Sequence, residues 1–342
     1  MSGPVGHTVS SIAVLGAGAW GTALAMVLGS RGHDIRLWSY KPDHARLLAE
    51  QRANPPLLPG CALPESVRPT SDLDDAVADA AWVLVVVPSS AFGAVVERLA
   101  GKPPRRLAWA TKGLDADSGG LLHQVVERHL SPVPRMAVVS GPSFAAEVAR
   151  GLPTAVTVAA NDAGFGQEIA EAFHSERFRA YTSDDVVGVE LGGAVKNVLA
   201  IATGVSDGLG LGANARAALV TRGLAEITRL GRVLGADPLT FMGLAGVGDL
   251  LLTCTDDQSR NRRFGLALGR GQGVEEALRS IGSTVEGVRT AAELHALATA
   301  HSVDMPICDT VHRRLRGEID TERAVHSLLL REPRAEVDRG RC

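Results

Sequence analysis

A single lysine lies in the middle of a segment that is otherwise small and apolar. Lys196 belongs to the stretch VELGGAVKNVLAIATG, which runs from Val189 to Gly204. On a helix it shares a face with Gly192 and Gly193, and glycines there let another element approach closely. Desolvation lowers the pKa of a lysine and can bring a proton donor towards neutral pH. The pattern alone equally allows a lysine that reaches water, or one paired with a distant carboxylate.

A carboxylate and a polar cluster follow later in the chain. Asp249 lies between a glycine-rich turn and an apolar run, and a carboxylate in so apolar a setting needs a partner, so we expect it to pair with Lys196. The cluster after it consists of Ser259, Arg260, Asn261, Arg262 and Arg263. The planar fork of arginine suits phosphate oxygens, and serine and asparagine add neutral donors. For Arg262 and Arg263 the pattern favours an exposed helix start instead.

Two further segments come directly after predicted strands. Lys112, in WATKGLD, should lie at the carboxyl edge of a sheet, where open α/β folds bind ligands and an ammonium could attract a phosphate. A surface lysine explains its position equally well. The stretch from Ser140 to Val148, SGPSFAAEV, leads through a Gly-Pro turn into a helix whose free N–H groups can bind an anion or a cofactor amide. The alternative is an ordinary capped helix with Pro142 near its first position.

A glycine motif near the start of the chain predicts a dinucleotide site. The segment SIAVLGAGAWG places Gly16, Gly18 and Gly21 as GxGxxG after a predicted strand and at the opening of a helix. Gly16 permits the tight turn, Gly18 lets the backbone approach a pyrophosphate, and Gly21 allows the helix to pack closely on the strand. The phosphates are then expected at the positive N-terminus of the helix.

The end of the second strand bears on the choice of dinucleotide. NAD-selective folds usually keep an acid there for the ribose 2′-hydroxyl, but this chain reads LWSYKPD and has no acid at the strand end. Tyr40 and Lys41 are placed to stack near the adenine or to meet a 2′-phosphate, with an exposed loop as the alternative for Lys41. The predicted cofactor is therefore NADP or NAD.

These residues need a scaffold, and the first half of the chain alternates apolar runs with helical patterns, which indicates βαβ units. The predicted strands begin at Ser11, Asp34, Ala81, Arg106, Arg135, Thr154 and Arg177. After Ser183 the spacing is helical. We predict an α/β fold: a Rossmann-type, doubly wound parallel sheet in residues 1–185, followed by an all-helical domain in residues 186–342. Because no flexible linker joins them, the halves should pack closely, with a cleft between them.

Composition excludes several classes of protein. The chain has 342 residues, 45% of them hydrophobic and 21% charged, with a formal net charge of -3, so a nucleic acid or an anionic membrane is not the default partner. The cysteines, Cys61, Cys254, Cys308 and Cys342, are far apart, and there is no HExxH, so we predict a reduced, cytoplasmic chain without a metal site. The apolar stretch from Ile12 to Gly29 is broken by glycines, and we predict no membrane span.

These segments together resemble the bacterial NAD(P)-dependent glycerol-3-phosphate dehydrogenases over nearly the whole chain. The resemblance rests on GAGAWGTALA from Gly16, ATKGL from Ala110, SGPSFAAEVA from Ser140, VKNVLAIATG from Val195, GLGLGANARAALVTRGLAE from Gly208, GLAGVGDLLLTCT from Gly243, SRNRRFG from Ser259 and VEGVRTA from Val285. It implies an enzyme that interconverts dihydroxyacetone phosphate and sn-glycerol 3-phosphate, supplying the latter for phospholipid synthesis. It also implies a homodimer formed through the helical domain.

The same resemblance implies a role for individual residues, with Lys196 as the catalytic acid/base. It implies that the substrate is bound by Lys112, Gly141, Ser143, Asp249, Ser259, Arg260 and Asn261. It places the dinucleotide beside Gly16, Gly18, Ala19, Trp20, Gly21, Tyr40, Lys112, Ala145, Arg260 and Glu286. Ala19 stands where many relatives have serine and Thr284 where valine is common; both departures bear on cofactor binding only.

In the expected reaction a hydride passes from the reduced nicotinamide to the C2 ketone while Lys196 protonates the developing alkoxide. Two alternatives remain open. Another two-domain dehydrogenase, acting on a β-hydroxyacid or a sugar acid, would share the layout, although SRNRRFG together with the Lys196 segment favours a phosphorylated ketone. A non-catalytic protein that reports redox state would bind NAD(P)H tightly without oxidising it.

Overall fold

The computed structural model describes residues 9–329. Strands and helices are interspersed up to Ser183, and the chain is helical afterwards. The strands are β1 (Ser11–Leu15), β2 (Asp34–Trp38), β3 (Ala53–Asn54), β4 (Leu58–Ala62), β5 (Val67–Thr70), β6 (Trp82–Val85), β7 (Arg106–Trp109), β8 (Arg135–Ser140), β9 (Thr154–Ala160) and β10 (Phe178–Ser183). The helices of the first half are α1 (Ala19–Ser30), α2 (Pro42–Gln51), α3 (Leu73–Val77), α4 (Ser89–Arg98), α5 (Leu122–His129), α6 (Ala145–Ala149) and α7 (Ala163–Phe173).

The second half continues with helices alone within the described residues. They are α8 (Val186–Gly208), α9 (Gly212–Val233), α10 (Asp249–Thr255), α11 (Arg260–Gly269), α12 (Val274–Ile281), α13 (Glu286–Ala300), α14 (Pro306–Leu315) and α15 (Thr321–Leu329). A 3₁₀ turn at Pro238–Met242 and a π-helical turn at Leu244–Gly248 precede α10. The predicted all-helical second half is confirmed as far as residue 329.

The main sheet has the strand order β10-β9-β8-β7-β6-β1-β2-β5, while β3 and β4 form a separate antiparallel ribbon. β1 lies between β2 and β6 and is parallel to both, with Leu15 opposite Trp38 on one side and Val85 on the other. The strand order therefore reverses beside β1, and in such sheets ligands bind at the carboxyl ends of the strands around that point. The predicted doubly wound sheet is confirmed.

Helices cover both faces of this sheet, which explains its nearly continuous apolar strands. Alternate residues of a strand point to opposite faces. Accordingly Ile12 and Val14 belong to one buried cluster, and Ala13 and Leu15 belong to another. All four residues of β6 are buried.

Two details of the predicted sheet are wrong. β9 is antiparallel to β8, because the connection between them contains only the five-residue α6 and returns the chain at the same edge of the sheet. The strands β3 to β5 were not predicted. Pro59 and Gly60 interrupt the pattern of β4, and Pro69 lies in β5, an edge strand where proline is tolerated.

Helix α8 forms the centre of the helical half. By length and composition it could cross a membrane, but 83% of its most apolar window is buried inside the protein, as in the core helix of a soluble fold. It packs backbone to backbone against α11: a Cβ on Gly204 would lie 2.2 Å from the carbonyl oxygen of Arg262, and one on Gly265 would lie 2.2 Å from that of Ile201.

The two halves share apolar contacts. The sequence predicted this close packing, because no flexible linker joins the halves. Leu114 and Leu121, from the first half, belong to the core of the helical half, and Val189 and Ala245 belong to a core of the sheet. The change from sheet to helices occurs between Ser183 and Val186. Within residues 9–329 the cysteines are free and buried, and no group of side chains could hold a metal ion; Cys342 lies outside this range.

Candidate active site

A buried carboxylate binds two ammonium groups that come from the two halves of the protein. Oδ1 of Asp249 lies 2.5 Å from Nζ of Lys196, and Oδ2 lies 2.6 Å from Nζ of Lys112. The side chain of Asp249 is 1% exposed, against 10% for Lys196 and 14% for Lys112. The expected pairing of Asp249 with Lys196 is confirmed.

Close backbone approach brings these three side chains together. A Cβ on Gly192 would lie 2.4 Å from the carbonyl oxygen of Ala245, so α8 rests on the π-helical turn that leads into Asp249. A Cβ on Gly193 would lie 3.5 Å from Cγ of Lys112. Both glycines therefore admit a neighbouring element, as the sequence predicted.

Burial and charge act against each other in this cluster. Burial would raise the pKa of Asp249, but the Lys112 and Lys196 ammoniums outweigh it, and the pKa falls below its usual value. For Lys112 burial is the larger influence and lowers the pKa to about 8, although Asp249 opposes the change. The carboxylate is thus ionised at neutral pH, while the charge of Lys112 depends on pH just above neutrality.

Lys112 also connects the sheet edge to the glycine turn after β8. Its Nζ donates to the carbonyl oxygen of Gly141 over 3.0 Å, and Oγ of Ser143 donates to the same oxygen over 2.9 Å. Gly141 has a φ of +149°, which disfavours any other residue. Pro142 is not near the first position of a helix: α6 begins only at Ala145 and has no side-chain cap. The capped-helix alternative is wrong in that respect.

The polar cluster at the start of α11 lies on the helical side of the site. Ser259 caps the helix by accepting a hydrogen bond from the N–H of Arg262 over 3.2 Å. Asn261 is buried; its Nδ2 donates to Oδ1 of Asn197 and its Oδ1 accepts from the N–H of Gly287, both over 2.9 Å. Arg260 is exposed on the first turn.

Arg262 does not lie on an exposed helix start, and that prediction is wrong for it. It is 8% exposed and forms ion pairs with Asp207, at the end of α8, and with Asp257. These partners are distant or flanking in the sequence, so helical spacing gave no sign of them. Arg263 is exposed, as predicted.

The glycine motif after β1 has the predicted geometry. Gly16 has a φ of +124°, and a Cβ there would lie 2.2 Å from the carbonyl oxygen of Val86. A Cβ on Gly21 would lie 1.8 Å from the carbonyl oxygen of Gly16, so α1 can pack on this turn only with glycine. Nothing lies within 4 Å of a Cβ built on Gly18, so the backbone there faces open space. This open space at the start of α1 is where the sequence predicts the pyrophosphate.

Of the other residues predicted to contact a dinucleotide, Ala19 and Trp20 lie in α1, Tyr40 follows β2, and Ala145 and Glu286 begin α6 and α13. Ala19, Trp20 and Ala145 pack against one apolar cluster. Tyr40 is 70% exposed after β2. Burial raises the pKa of Glu286, at the start of α13, and the charges of Arg260, Lys196, Arg289 and Lys112 oppose this rise.

Sequence reasoning missed residues that complete this region. Asn197 is 4% exposed and holds Asn261, and its adjacency to Lys196 was the available signal. Arg289 lies inside the segment VEGVRTA and contacts Ser89. A cavity of about 1090 Å³ elsewhere in the helical half contains none of the predicted site residues, so cavity volume alone would not locate the site.

Comparisons with known proteins agree with this arrangement. Residues 11–166 match the model of the NAD-dependent glycerol-3-phosphate dehydrogenase N-terminus, and residues 185–326 match that of its C-terminus. The chain is 64% identical to a glycerol-3-phosphate dehydrogenase [NAD(P)+] of Halorhodospira halophila over 96% of this chain and 99% of that protein.

Solved structures give the same assignment. The crystal structure of glycerol-3-phosphate dehydrogenase from Coxiella burnetii is 50% identical and has a TM-score of 0.91, covering 94% of this chain and 99% of that one. A D-mandelate dehydrogenase is 12% identical with a TM-score of 0.58, covering 92% of this chain and 99% of that one, which shows a shared fold alone. With both halves of the chain matched, this protein belongs to the NAD-dependent glycerol-3-phosphate dehydrogenase family.

Proposed function

We propose that this protein interconverts dihydroxyacetone phosphate and sn-glycerol 3-phosphate with NAD(P)(H), using Lys196 as the acid/base. The observation that carries the proposal is the buried Asp249 carboxylate, which binds the ammonium groups of Lys196 and Lys112 where the two halves meet. Preorganised cations in a water-poor site stabilise negative charge that develops on a ketone oxygen during reduction. We assign dinucleotide binding to residues 1–185, and the acid/base and phosphate contacts to residues 186–342.

The glycine turn and the lysine cluster together suit a dinucleotide. The open space at Gly18 and the tight packing at Gly16 and Gly21 support a pyrophosphate at the start of α1. Trp20 adds a buried Nε1 that has no hydrogen-bond partner among the described residues. We assign the dinucleotide to Gly16, Gly18, Ala19, Trp20, Gly21, Tyr40, Lys112, Ala145, Arg260 and Glu286. When bound, the reduced nicotinamide supplies the hydride that C2 of the ketone accepts.

Lys196 supplies the proton that the reduction of the ketone requires. As a C–H bond forms at C2, the carbonyl oxygen takes a proton from the Lys196 ammonium, and in the reverse direction the neutral amine removes that proton. Asp249 binds each ammonium group through a different carboxylate oxygen, and its contact with Lys196 constrains the direction in which that lysine can donate. Orientation of this kind is a large part of what an enzyme contributes to rate.

We assign the phosphate of the substrate to the start of α11. Arg260 is exposed there on the first turn of the helix, and a helix N-terminus favours an anion. Asn261 retains a second amide hydrogen and Ser259 a hydroxyl hydrogen to donate, since each uses only part of its capacity in the contacts described. Lys112, Gly141 and Ser143 would face the substrate from the sheet side, because they form one hydrogen-bonded group.

The direct test mixes the purified protein with NADH or NADPH and dihydroxyacetone phosphate, and follows the nicotinamide absorbance. Oxidation that depends on the ketone supports the proposal. Binding of NADH without oxidation would favour the redox-reporting alternative, and oxidation with a β-ketoacid but not with dihydroxyacetone phosphate would favour the other dehydrogenase class. Assays with NADH and with NADPH measure which cofactor the protein prefers. We propose that Lys41 shifts this preference towards NADPH, because a cation beside the ribose favours a 2′-phosphate.

The wider role follows the family resemblance. We propose a cytoplasmic enzyme whose product supplies phospholipid synthesis and which forms a homodimer through its helical half. Size-exclusion chromatography with light scattering tests the dimer, and a monomer at the concentrations used for assay would contradict it.

A further inference from the structure

Arg289 connects the two halves of the protein beside the candidate site. Its Nη2 donates a hydrogen bond to Oγ of Ser89, which is buried at the start of α4 just after β6. Its Nε lies 2.8 Å from Oε1 of Glu293, one turn further along α13. The guanidinium thus attaches α13, a helix of the second half, to the carboxyl edge of the sheet.

The first turn of α13 carries residues of the candidate site. Glu286 begins the helix, and the N–H of Gly287 donates to Asn261. A Cβ on Gly287 would lie 2.7 Å from the carbonyl oxygen of Asn197, so this turn rests directly on α8. Burial raises the pKa of Glu286, and Arg289 is one of the cations that oppose this rise. A displacement of α13 would therefore move Glu286 relative to the charges around it.

Ser89 is itself held by the segment that carries Lys112. A Cβ on Gly113 would lie 2.5 Å from Oγ of Ser89, and Gly113 has a φ of +132°. The backbone next to Lys112 thus packs on the same hydroxyl that Arg289 binds. Ser89 lies between α13 and the lysine cluster.

We propose that Arg289 is a positioning residue: bound to Ser89, it holds Glu286 in place relative to the nucleotide-binding half, while Glu293 orients its guanidinium. The proposal rests on the proposed function, because it assigns Glu286 to the dinucleotide. Arg289 acts through other residues and takes no part in the transfer of hydride or proton.

Glu293 makes this attachment sensitive to pH. Its side chain is 8% exposed; burial raises its pKa to about 7, Arg289 opposes the rise and Asp115 adds to it. Asp115, on the segment after β7, is in turn bound by Ser118 and Arg128. As pH falls through about 7, Glu293 takes up a proton and Arg289 loses its charged partner, so the attachment weakens. The folding stability responds to pH in the opposite direction. Because burial raises the pKa of Glu293, the folded state binds the proton more tightly than the unfolded state does, so low pH favours folding.

The first experiment measures NADH affinity by fluorescence titration, at about pH 8 where Glu293 is ionised. Loss of a charge-assisted hydrogen bond should weaken binding on the order of tenfold in Arg289→Ala and in Ser89→Ala. The double variant should be no weaker than either single variant, since both remove one contact. Arg279→Ala, which removes an exposed arginine of α12, should bind as wild type. Wild-type affinity in a folded Arg289→Ala protein, or additive losses, would overturn the proposal.

The second experiment separates positioning from ordinary structural support. Glu293→Gln removes a buried charge, so at about pH 8 its melting temperature should equal or exceed that of wild type, while its NADH affinity should be lower. At about pH 6, where Glu293 is protonated, the variant and wild type should bind NADH equally. The part of the pH dependence that centres near pH 7 should disappear, while the part due to Lys112, whose pKa is about 8, should remain in both proteins. A melting temperature that falls together with affinity would overturn the proposal. If Arg289→Ala fails to fold, Ser89→Ala and Glu293→Gln decide the matter. Because the readout is binding, it stands even if dihydroxyacetone phosphate proves not to be the substrate.

Discussion

Nζ of Lys196 lies 2.5 Å from Oδ1 of Asp249, although the two residues are 53 positions apart in the chain. The contact forms because α8 rests on the π-helical turn before α10 at Gly192. Lys196 is therefore paired with a carboxylate that orients its ammonium group, although its helix is otherwise apolar. The proposed chemistry depends on that orientation as much as on the lysine.

Replacing Lys196 should abolish most turnover without unfolding the protein. General acid catalysis typically contributes ~10²- to 10⁴-fold, so we expect Lys196→Ala to lose a factor in that range in kcat. Added primary amines should restore part of the loss by supplying the missing proton donor. Lys102→Ala, at an exposed lysine, is the matched control and should retain wild-type kcat. Near wild-type turnover in Lys196→Ala would move the acid/base role to another group, with Lys112 the first to examine.

The affinity for dihydroxyacetone phosphate should depend on pH through Lys112. Burial lowers the pKa of its ammonium to about 8, so the positive charge is present below that value and is lost as pH rises through it. We expect KM for the ketone to increase over the same range, because a neutral amine no longer attracts the phosphorylated substrate. Steady-state measurements across that range test this. Lys112→Arg stays charged and should give a flat KM profile; if the profile of Lys112→Arg matched that of wild type, a different group would be responsible.

Arg260 should govern substrate binding more than turnover. It is exposed at the N-terminus of α11, where a phosphate is expected, and a hydrogen bond to a charged group is worth about 1.5–3 kcal/mol. Arg260→Ala should therefore raise KM for dihydroxyacetone phosphate by roughly ten- to a hundredfold, with a smaller fall in kcat. Arg263→Ala, an exposed arginine on the next turn position, is the control and should change neither constant. An unchanged KM in Arg260→Ala would place the phosphate elsewhere.

Much of the fold was predictable because its signals are local. Strands such as β1 and β6 are continuous apolar runs, and the glycines after β1 sit where a helix must pack on a turn. The direction of β9 was not predictable, since it depends on how α6 returns the chain rather than on any pattern within β9. β5 was missed because proline is rare in strands, and its edge position becomes visible only in the assembled sheet.

In the candidate site, too, local features were predictable from the sequence and most long-range contacts were not. The types of residue at Lys196, Asp249 and Asn261 pointed to chemistry, and the pairing of Lys196 with Asp249 followed from the need to neutralise a buried carboxylate. The contact of Lys112 with that same carboxylate did not follow, because it joins residues 137 positions apart across the two halves. Arg262 was misjudged for the same reason: its partner Asp207 lies at the far end of another helix.

Close helix packing at Gly192 should be essential for stability as well as for the site. A Cβ there would lie 2.4 Å from a carbonyl oxygen of the π-helical turn, and backbone cannot move aside as a flexible side chain can. We expect Gly192→Ala to lower the free energy of unfolding by about 1–3 kcal/mol, the usual cost of overpacking, and to reduce kcat by displacing Asp249 from Lys196. Gly93→Ala is the matched control in α4: its nearest neighbour would lie 3.7 Å away, so the helix preference of alanine should leave stability equal or higher by up to about 1 kcal/mol. Urea unfolding of both variants measures the difference, and equal stabilities would show that α8 can shift away from the turn without loss.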